Sequence, residues 1–150
     1  MSATRRALLL AAAAWPLVGR AATLPHAQDL PRALAAARAR HEPLVLMVSL
    51  DGCAYCHIVR DQYLAPLHRQ QGLPVVQVDM RSRRQLKDVD GRTIVHDDFV
   101  RARRVTVAPT LLFLGPNGEE LAERLVGGSI PDFYGAYLDQ RLEQARARLR

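Results

Sequence analysis

The sequence predicts a single α/β domain, a central sheet flanked by helices with a pair of cysteines at the start of one helix. Three observations lead there. Leu44 to Leu50 is a nearly continuous apolar run, as expected of a central strand covered on both faces. Directly after it Cys53 and Cys56, the only two cysteines, stand two residues apart ahead of a helix-like segment. Strand and helix signals then continue toward the C-terminus with no repeat, low-complexity tract or interdomain linker.

Residues 1–21 read as a signal peptide: Arg5 and Arg6, the apolar run Ala7 to Val18, then Gly19-Arg20-Ala21 with small residues at positions −3 and −1 of a cut after Ala21. The run is shorter than the roughly 20 apolar residues that span a bilayer, and Pro16 interrupts it. Export to the periplasm without membrane insertion is the expectation. Thr4-Arg5-Arg6-Ala7-Leu8-Leu9-Leu10 resembles a twin-arginine signal, and paired arginines also occur in ordinary secretory signals, so both routes stay open. Removing 21 of the 150 residues leaves 129 (22–150), the size of one domain with a real core. The formal charge of +6 loses three arginines and no acid, leaving +3, which is no nucleic-acid footprint. Lys87 is the only lysine, and the arginine bias fits the codon usage of a GC-rich genome better than a polyanionic partner.

The elements follow in order. A helix is expected over residues 30–40, with Asp29 as N-cap, Pro31 in the first turn, and Leu30, Ala33, Leu34 and Ala37 on one face. Pro43 stops it. After the strand at Leu44 to Leu50, the cysteine helix should end before Pro66, because the residue preceding a proline avoids the helical region. Val75 to Met80 reads as a strand. In residues 81–97, Asp90-Gly91 is a turn signal and Arg92 to Val95 a short edge strand. A helix from Asp98 to Arg103 carries Phe99 and Val100 inward. Thr110 to Leu114 and Leu121 to Val126 read as strands joined by Gly115-Pro116-Asn117-Gly118. The last helix opens at Ser129-Ile130-Pro131-Asp132 and turns Phe133, Tyr137 and Leu138 toward the sheet.

The chemistry lies in the cysteines. A thiol at a helix N-terminus faces unpaired N–H groups and the positive end of the helix dipole, which favour its thiolate. One pair cannot be both structural staple and active couple, and a three-residue loop constrains the unfolded chain too little to be placed for stability. With His57 the motif also spells CxxCH, the attachment signature of c-type haem, but the strand and hairpin signals around it contrast with the helical character of small cytochromes. Two thiolates and His96 offer a copper(I) reading, with a spacing one residue short of the CxxxC of copper-delivery proteins. Neither metal nor cofactor is expected.

GCAYCH, the strand VVQVDM and the stretch VTVAPTLLFLGPNGEEL together resemble the thioredoxin superfamily, and within it the exported bacterial proteins of the SoxW type, over about residues 27–142. The resemblance implies a thioredoxin fold with a mixed sheet and a thiol–disulfide oxidoreductase acting on protein disulfides. It implies Cys53 as nucleophile, Cys56 as resolving thiol, and Pro109 as a cis-proline facing them, with Ala108 offering its backbone to substrate. A strand-entry proline is the plain alternative for Pro109. Tyr55 reads equally as a substrate-contact ring or a surface aromatic, and His57 as a solvent-facing helix residue. The resemblance also implies a reductase fed by a membrane thiol donor, with a disulfide-forming oxidase as the near alternative. Two positions depart from thioredoxin: Met47 stands where it has a buried acid, and Gly52 where it has a tryptophan. Asp51 is then either a displaced proton acceptor or an ordinary loop carboxylate.

Overall fold

A computed structural model of the chain describes residues 23–128 and 131–150. The signal-peptide reading of residues 1–21 and the Ser129-Ile130 helix start lie outside the described residues. The element order is α1 (Leu30–Ala39), β1 (Leu44–Ser49), α2 (Ala54–Ile58, continued by Val59–Leu64 and Leu67–Gln71), β2 (Val75–Asp79), β3 (Gln85–Lys87), β4 (Thr93–Val95), α3 (His96–Ala102), β5 (Thr110–Leu114), β6 (Leu125–Val126) and α4 (Pro131–Arg148).

The main sheet has the order β2-β1-β5-β6. β1 runs parallel to β2, with Met47 opposite Gln77, and antiparallel to β5, with Met47 also opposite Leu111. All six residues of β1 are buried, and they divide alternately between two cores. Val45 and Met47 pack with Cys56, Val59, Phe113, Tyr134 and Leu138 on the α2 and α4 side. Leu44, Leu46 and Val48 pack with Leu30, Leu34, Phe99 and Val100 on the α1 and α3 side. Each fully buried leucine or valine contributes about 1.5–3 kcal/mol, so this central strand ties both helical layers to one ribbon.

Helix α1 forms as its local signals predict: Asp29 Oδ1 accepts the Arg32 N–H at 2.9 Å, and Leu30, Leu34 and Ala37 are buried. Four expectations need correction. The cysteine helix does not stop before Pro66 but runs to Gln71 through wide turns in which, for example, Ala65 N–H donates to Arg60 O. Proline lacks an N–H, and i→i+5 bonding around it absorbs the interruption; Gly72, at φ 68, then ends the helix. The strand expected over Leu121–Val126 is reduced to Leu125–Val126, because the ladder steps from Leu114 opposite Glu120 to Leu111 opposite Leu125. Four residues, 121–124, therefore face two on β5, and the ladder is interrupted there. The short edge strand expected at Arg92–Val95 forms as β4, paired with an unforeseen β3 in a separate two-stranded ribbon, but α3 starts at His96 rather than Asp98. Finally, α4 buries Tyr134, Leu138, Leu142 and Ala145, while Phe133 and Tyr137 are exposed.

Residues 25–27 form an additional edge beside β2. Gln77 N–H donates to Pro25 O and Ala27 N–H to Gln77 O, both at 2.8 Å. His96, fully buried, locks this edge in place. Its Nε2 lies 3.0 Å from Ala27 O, and its Nδ1 accepts the Asp79 N–H at 3.1 Å. That pattern requires the neutral ring with the proton on Nε2. Burial pushes the His96 pKa below its ordinary 6.5, outweighing the bond to Ala27 that raises it. A histidine whose pKa is depressed by folding binds its proton more readily in the unfolded chain, so its stabilisation is complete above the unfolded value and is lost as pH falls below it. The urea midpoint should therefore fall between about pH 7.5 and about pH 5, and should fall less steeply in His96→Gln. Equal pH slopes in the two proteins would refute this role.

Candidate active site

The cysteine loop is shaped by a turn. Cys53 N–H donates to Leu50 O at 3.3 Å, and Gly52 closes the turn at φ +72, a conformation costly for any residue with a Cβ. A glycine therefore occupies the position that holds tryptophan in thioredoxin. Cys53 leaves the turn extended (φ −85, ψ 109) and becomes the N-cap of α2, its Sγ accepting the Cys56 N–H at 3.2 Å. The two cysteines are joined as a disulfide with Cα atoms 5.2 Å apart, inside the usual span. Their surroundings differ: Cys56 is 1% exposed in the α2-side core, and Cys53 is partly exposed at its rim.

The facing wall is the loop before β5. The Ala108-Pro109 peptide bond is cis, and Ala108 O lies 3.8 Å from Cys53 Sγ. Thr110 Oγ1 donates to Val107 O (2.7 Å) and Gly127 N–H to Pro109 O (2.8 Å), which hold the loop on both sides. Among the described residues, neither the N–H nor the C=O of Ala108 makes a backbone hydrogen bond. Gly128 sits where three segments meet. A Cβ there would lie 3.2 Å from Val59 Cγ2 and 3.3 Å from both Pro109 Cγ and Tyr55 Cβ. Tyr55, Val107 and Val126 are exposed around this point, at 49%, 44% and 57%.

Cys53, Cys56, Tyr55, Ala108 and Pro109 are thus brought together. Val107, Val126 and Gly128 complete the surface and were not singled out from the sequence; the one available signal was the Gly127-Gly128 pair directly after a strand. Asp51 lies on the exposed turn. His57 is exposed, with Nδ1 against the Arg60 guanidinium. His96 does not join the thiols, since both of its ring nitrogens are engaged at Ala27 and Asp79. Met47 is fully buried in the same core as Cys56.

The fold and this cysteine pair agree with sequence comparison. A thioredoxin-like domain family matches residues 30–142, and the chain belongs to that family. It has the fold and the disulfide-forming CxxC pair of a thioredoxin-like thiol–disulfide oxidoreductase. No curated protein matches the chain. Among solved structures, it is similar to a DsbH oxidoreductase, with 22% identity and a TM-score of 0.55 over 91% of this chain and 95% of that one. A thioredoxin from Thermus thermophilus is 25% identical, with a TM-score of 0.51 over 81% of this chain and 87% of that one. The periplasmic thioredoxin SoxS from Paracoccus pantotrophus, in its reduced form, is 27% identical over 69% of this chain and 99% of that one, with a TM-score of 0.48.

Because the space at Gly128 is already filled by Val59, Pro109 and Tyr55, Gly128→Val should displace the loop from the disulfide. Small misplacements of reacting groups cost rate steeply, so we expect protein disulfide reduction to fall about 10-fold or more, with a thermal midpoint lowered by only a few degrees. Wild-type turnover in an insulin reduction assay would remove Gly128 from the site.

Proposed function

We propose that this chain is an exported thiol–disulfide oxidoreductase that reduces protein disulfides through Cys53 and Cys56. The observation that carries the reading is the unequal exposure of the two sulfurs opposite Ala108, whose N–H and C=O make no backbone hydrogen bond among the described residues. The reachable sulfur, Cys53, lies beside Ala108 O, and the shielded one, Cys56, lies one turn into the helix. An extended substrate segment has free partners in the Ala108 N–H and C=O, and apolar contacts in Tyr55, Pro109 and the neighbouring valines.

In the reduced protein the Cys53 thiolate attacks one sulfur of the substrate disulfide. A mixed disulfide forms and the other substrate sulfur leaves as a thiolate, which takes a proton from solvent. Cys56, once deprotonated, attacks Cys53 Sγ; the intramolecular disulfide forms and the second substrate sulfur is released. Two electrons pass to the substrate, and a membrane thiol donor restores the dithiol. The Cys56 N–H, 3.2 Å from Cys53 Sγ, is positioned to stabilise the attacking thiolate. Reduction rather than oxidation follows the resemblance to the SoxW type. A Cys53–Cys56 potential near the about −270 mV of thioredoxin supports it, and one near the about −120 mV of a strong oxidant overturns it.

The export reading rests on the paired arginines, the short apolar run and the small residues before Ala22. Among the described residues no helix is long and apolar enough to cross a membrane. Expressed in a bacterial host, the protein should be recovered from the periplasm with Ala22 as its first residue by N-terminal sequencing. Retention of residues 1–21 on soluble cytoplasmic protein would reject export.

The two sulfurs should behave asymmetrically. Cys56→Ser should attack partner disulfides and stall, accumulating covalent complexes that dithiothreitol dissolves, while Cys53→Ser accumulates few. In reduced wild type Cys53 should alkylate faster than Cys56 near neutral pH. Equal trapping by both variants, or faster alkylation of Cys56, would reverse the assignment.

A further inference from the structure

Resolution of a mixed disulfide requires the buried thiol to lose its proton before it attacks. Burial disfavours that ionisation, and Cys56 is 1% exposed. At the position where thioredoxin carries an acid this chain has Met47, fully buried and unable to accept a proton. The strand register locates a polar replacement. Met47 is paired with Gln77 in the parallel β1–β2 ladder, and laterally paired residues project to the same face of a sheet. Met47 lies in the core that holds Cys56, so Gln77 is on the sulfur's side, and Asp79, two residues on, projects the same way.

Gln77 is 6% exposed, and among the described residues its Oε1 is buried without a hydrogen-bond partner. Its Nε2 donates to Asp79 Oδ1 at 2.7 Å. Asp79 Oδ2 lies 3.1 Å from His26 Nδ1, an ion-pair distance without hydrogen-bond alignment. The Asp79 and His26 side chains are 22% and 33% exposed. A continuous polar row therefore leads from beside Met47 toward solvent. It lines a cleft of about 520 Å³ whose other wall is the loop from Ser49 to Gly52 with His57 and Arg60 of α2, a space that is polar and roomy enough for several waters.

We propose that this cleft is the proton exit for Cys56: waters hydrogen-bonded to Gln77 Oε1 carry the thiol proton to the Asp79 carboxylate, and His26 passes it to solvent. The proposal rests on the exchange reading above. In the step, the Cys56 S–H bond breaks and an O–H bond forms on Asp79. The sulfur electron pair makes the bond to Cys53 Sγ, and the substrate sulfur leaves with the electrons of the broken mixed disulfide. Gln77 keeps its own protons and acts as a positioning residue. Among the described residues, the other charged or titratable groups around the row include His96, Arg81, Arg84, Asp51, His57, Arg60 and Asp61. His96 is committed to the Asp79 and Ala27 backbone, and Arg60 to Asp61 and His57. Asp51 is the one other carboxylate on the Ser49–Gly52 loop.

The test is stopped-flow resolution of the thionitrobenzoate mixed disulfide on Cys53, followed from about pH 6 to about pH 8. Asp79→Asn and Gln77→Leu should slow release of thionitrobenzoate about 10- to 100-fold, the low end of what a positioned proton acceptor supplies, and should alter the acid limb of the profile. Gln77→Glu should restore the rate. Alkylation of Cys53 in the Cys56→Ser background should be unchanged by any of them. Asp79→Asn is nearly isosteric, so it remains informative if Gln77→Leu fails to fold. Wild-type resolution in folded Asp79→Asn, or slowing by Asp51→Asn instead, overturns the proton exit. Failure of the wild type to resolve the mixed disulfide at all overturns the exchange reading beneath it.

Discussion

The structure depends on one ribbon of backbone, β1, which is hydrogen-bonded on both edges and buried on both faces. No residue of Leu44–Ser49 can shift along its axis without moving its partners on β2 and β5 together. A slip by one residue would send Met47 and Val45 to the wrong core. The strand ends directly before the Leu50–Cys53 turn, so its immobility passes to the N-cap of α2 and hence to the cysteine pair. The same register fixes β5, whose first residue follows Pro109. The two walls of the site are thus anchored on neighbouring strands of one sheet.

On that frame the chemical difference between the sulfurs is a matter of depth. Cys53 ends the turn and caps the helix, where N–H groups lack intrahelical partners. Cys56 follows one turn later and falls among Met47, Val59 and Leu111. Sequence spacing alone makes the residues neighbours. The unequal environments come from the angle at which α2 leaves β1, which Gly52 permits by adopting a positive φ.

Of the two departures from thioredoxin, Gly52 shapes the cysteine turn and Met47 bears on proton handling. Met47 keeps the volume of the core at the cost of a proton acceptor, and the polar groups that remain nearby sit on β2 and on the added edge at residues 25–27. His96 binds that edge to Asp79 from the opposite layer. The insertion between β2 and α3 therefore helps define the cleft behind the cysteine helix while its β-ribbon stands apart from the main sheet.

Features governed by short-range rules were legible in the sequence: the Asp29 cap, the doubly buried strand, the cysteine pair at a helix start and the Gly115–Gly118 turn. Those that needed long-range register were not. Helix α2 continues through Pro66 because packing of Leu64, Ala65 and Leu67 against the core outweighs one missing backbone bond. The inward face of α4 was misread at Phe133 and Tyr137 because residues one position apart on a helix differ by about 100° in direction, and only docking on the sheet selects Tyr134 and Leu138. Gln77 lies in a segment that reads only as a strand, and it is the pairing with Met47 that sets it on the same face of the sheet as the buried sulfur. Local hydrogen-bonding preference and hydrophobic periodicity are properties of consecutive residues, so the sequence by itself determined the elements and the reactive pair. Which polar groups share a cavity depends on strand pairing between distant segments, and the tertiary structure alone decided that.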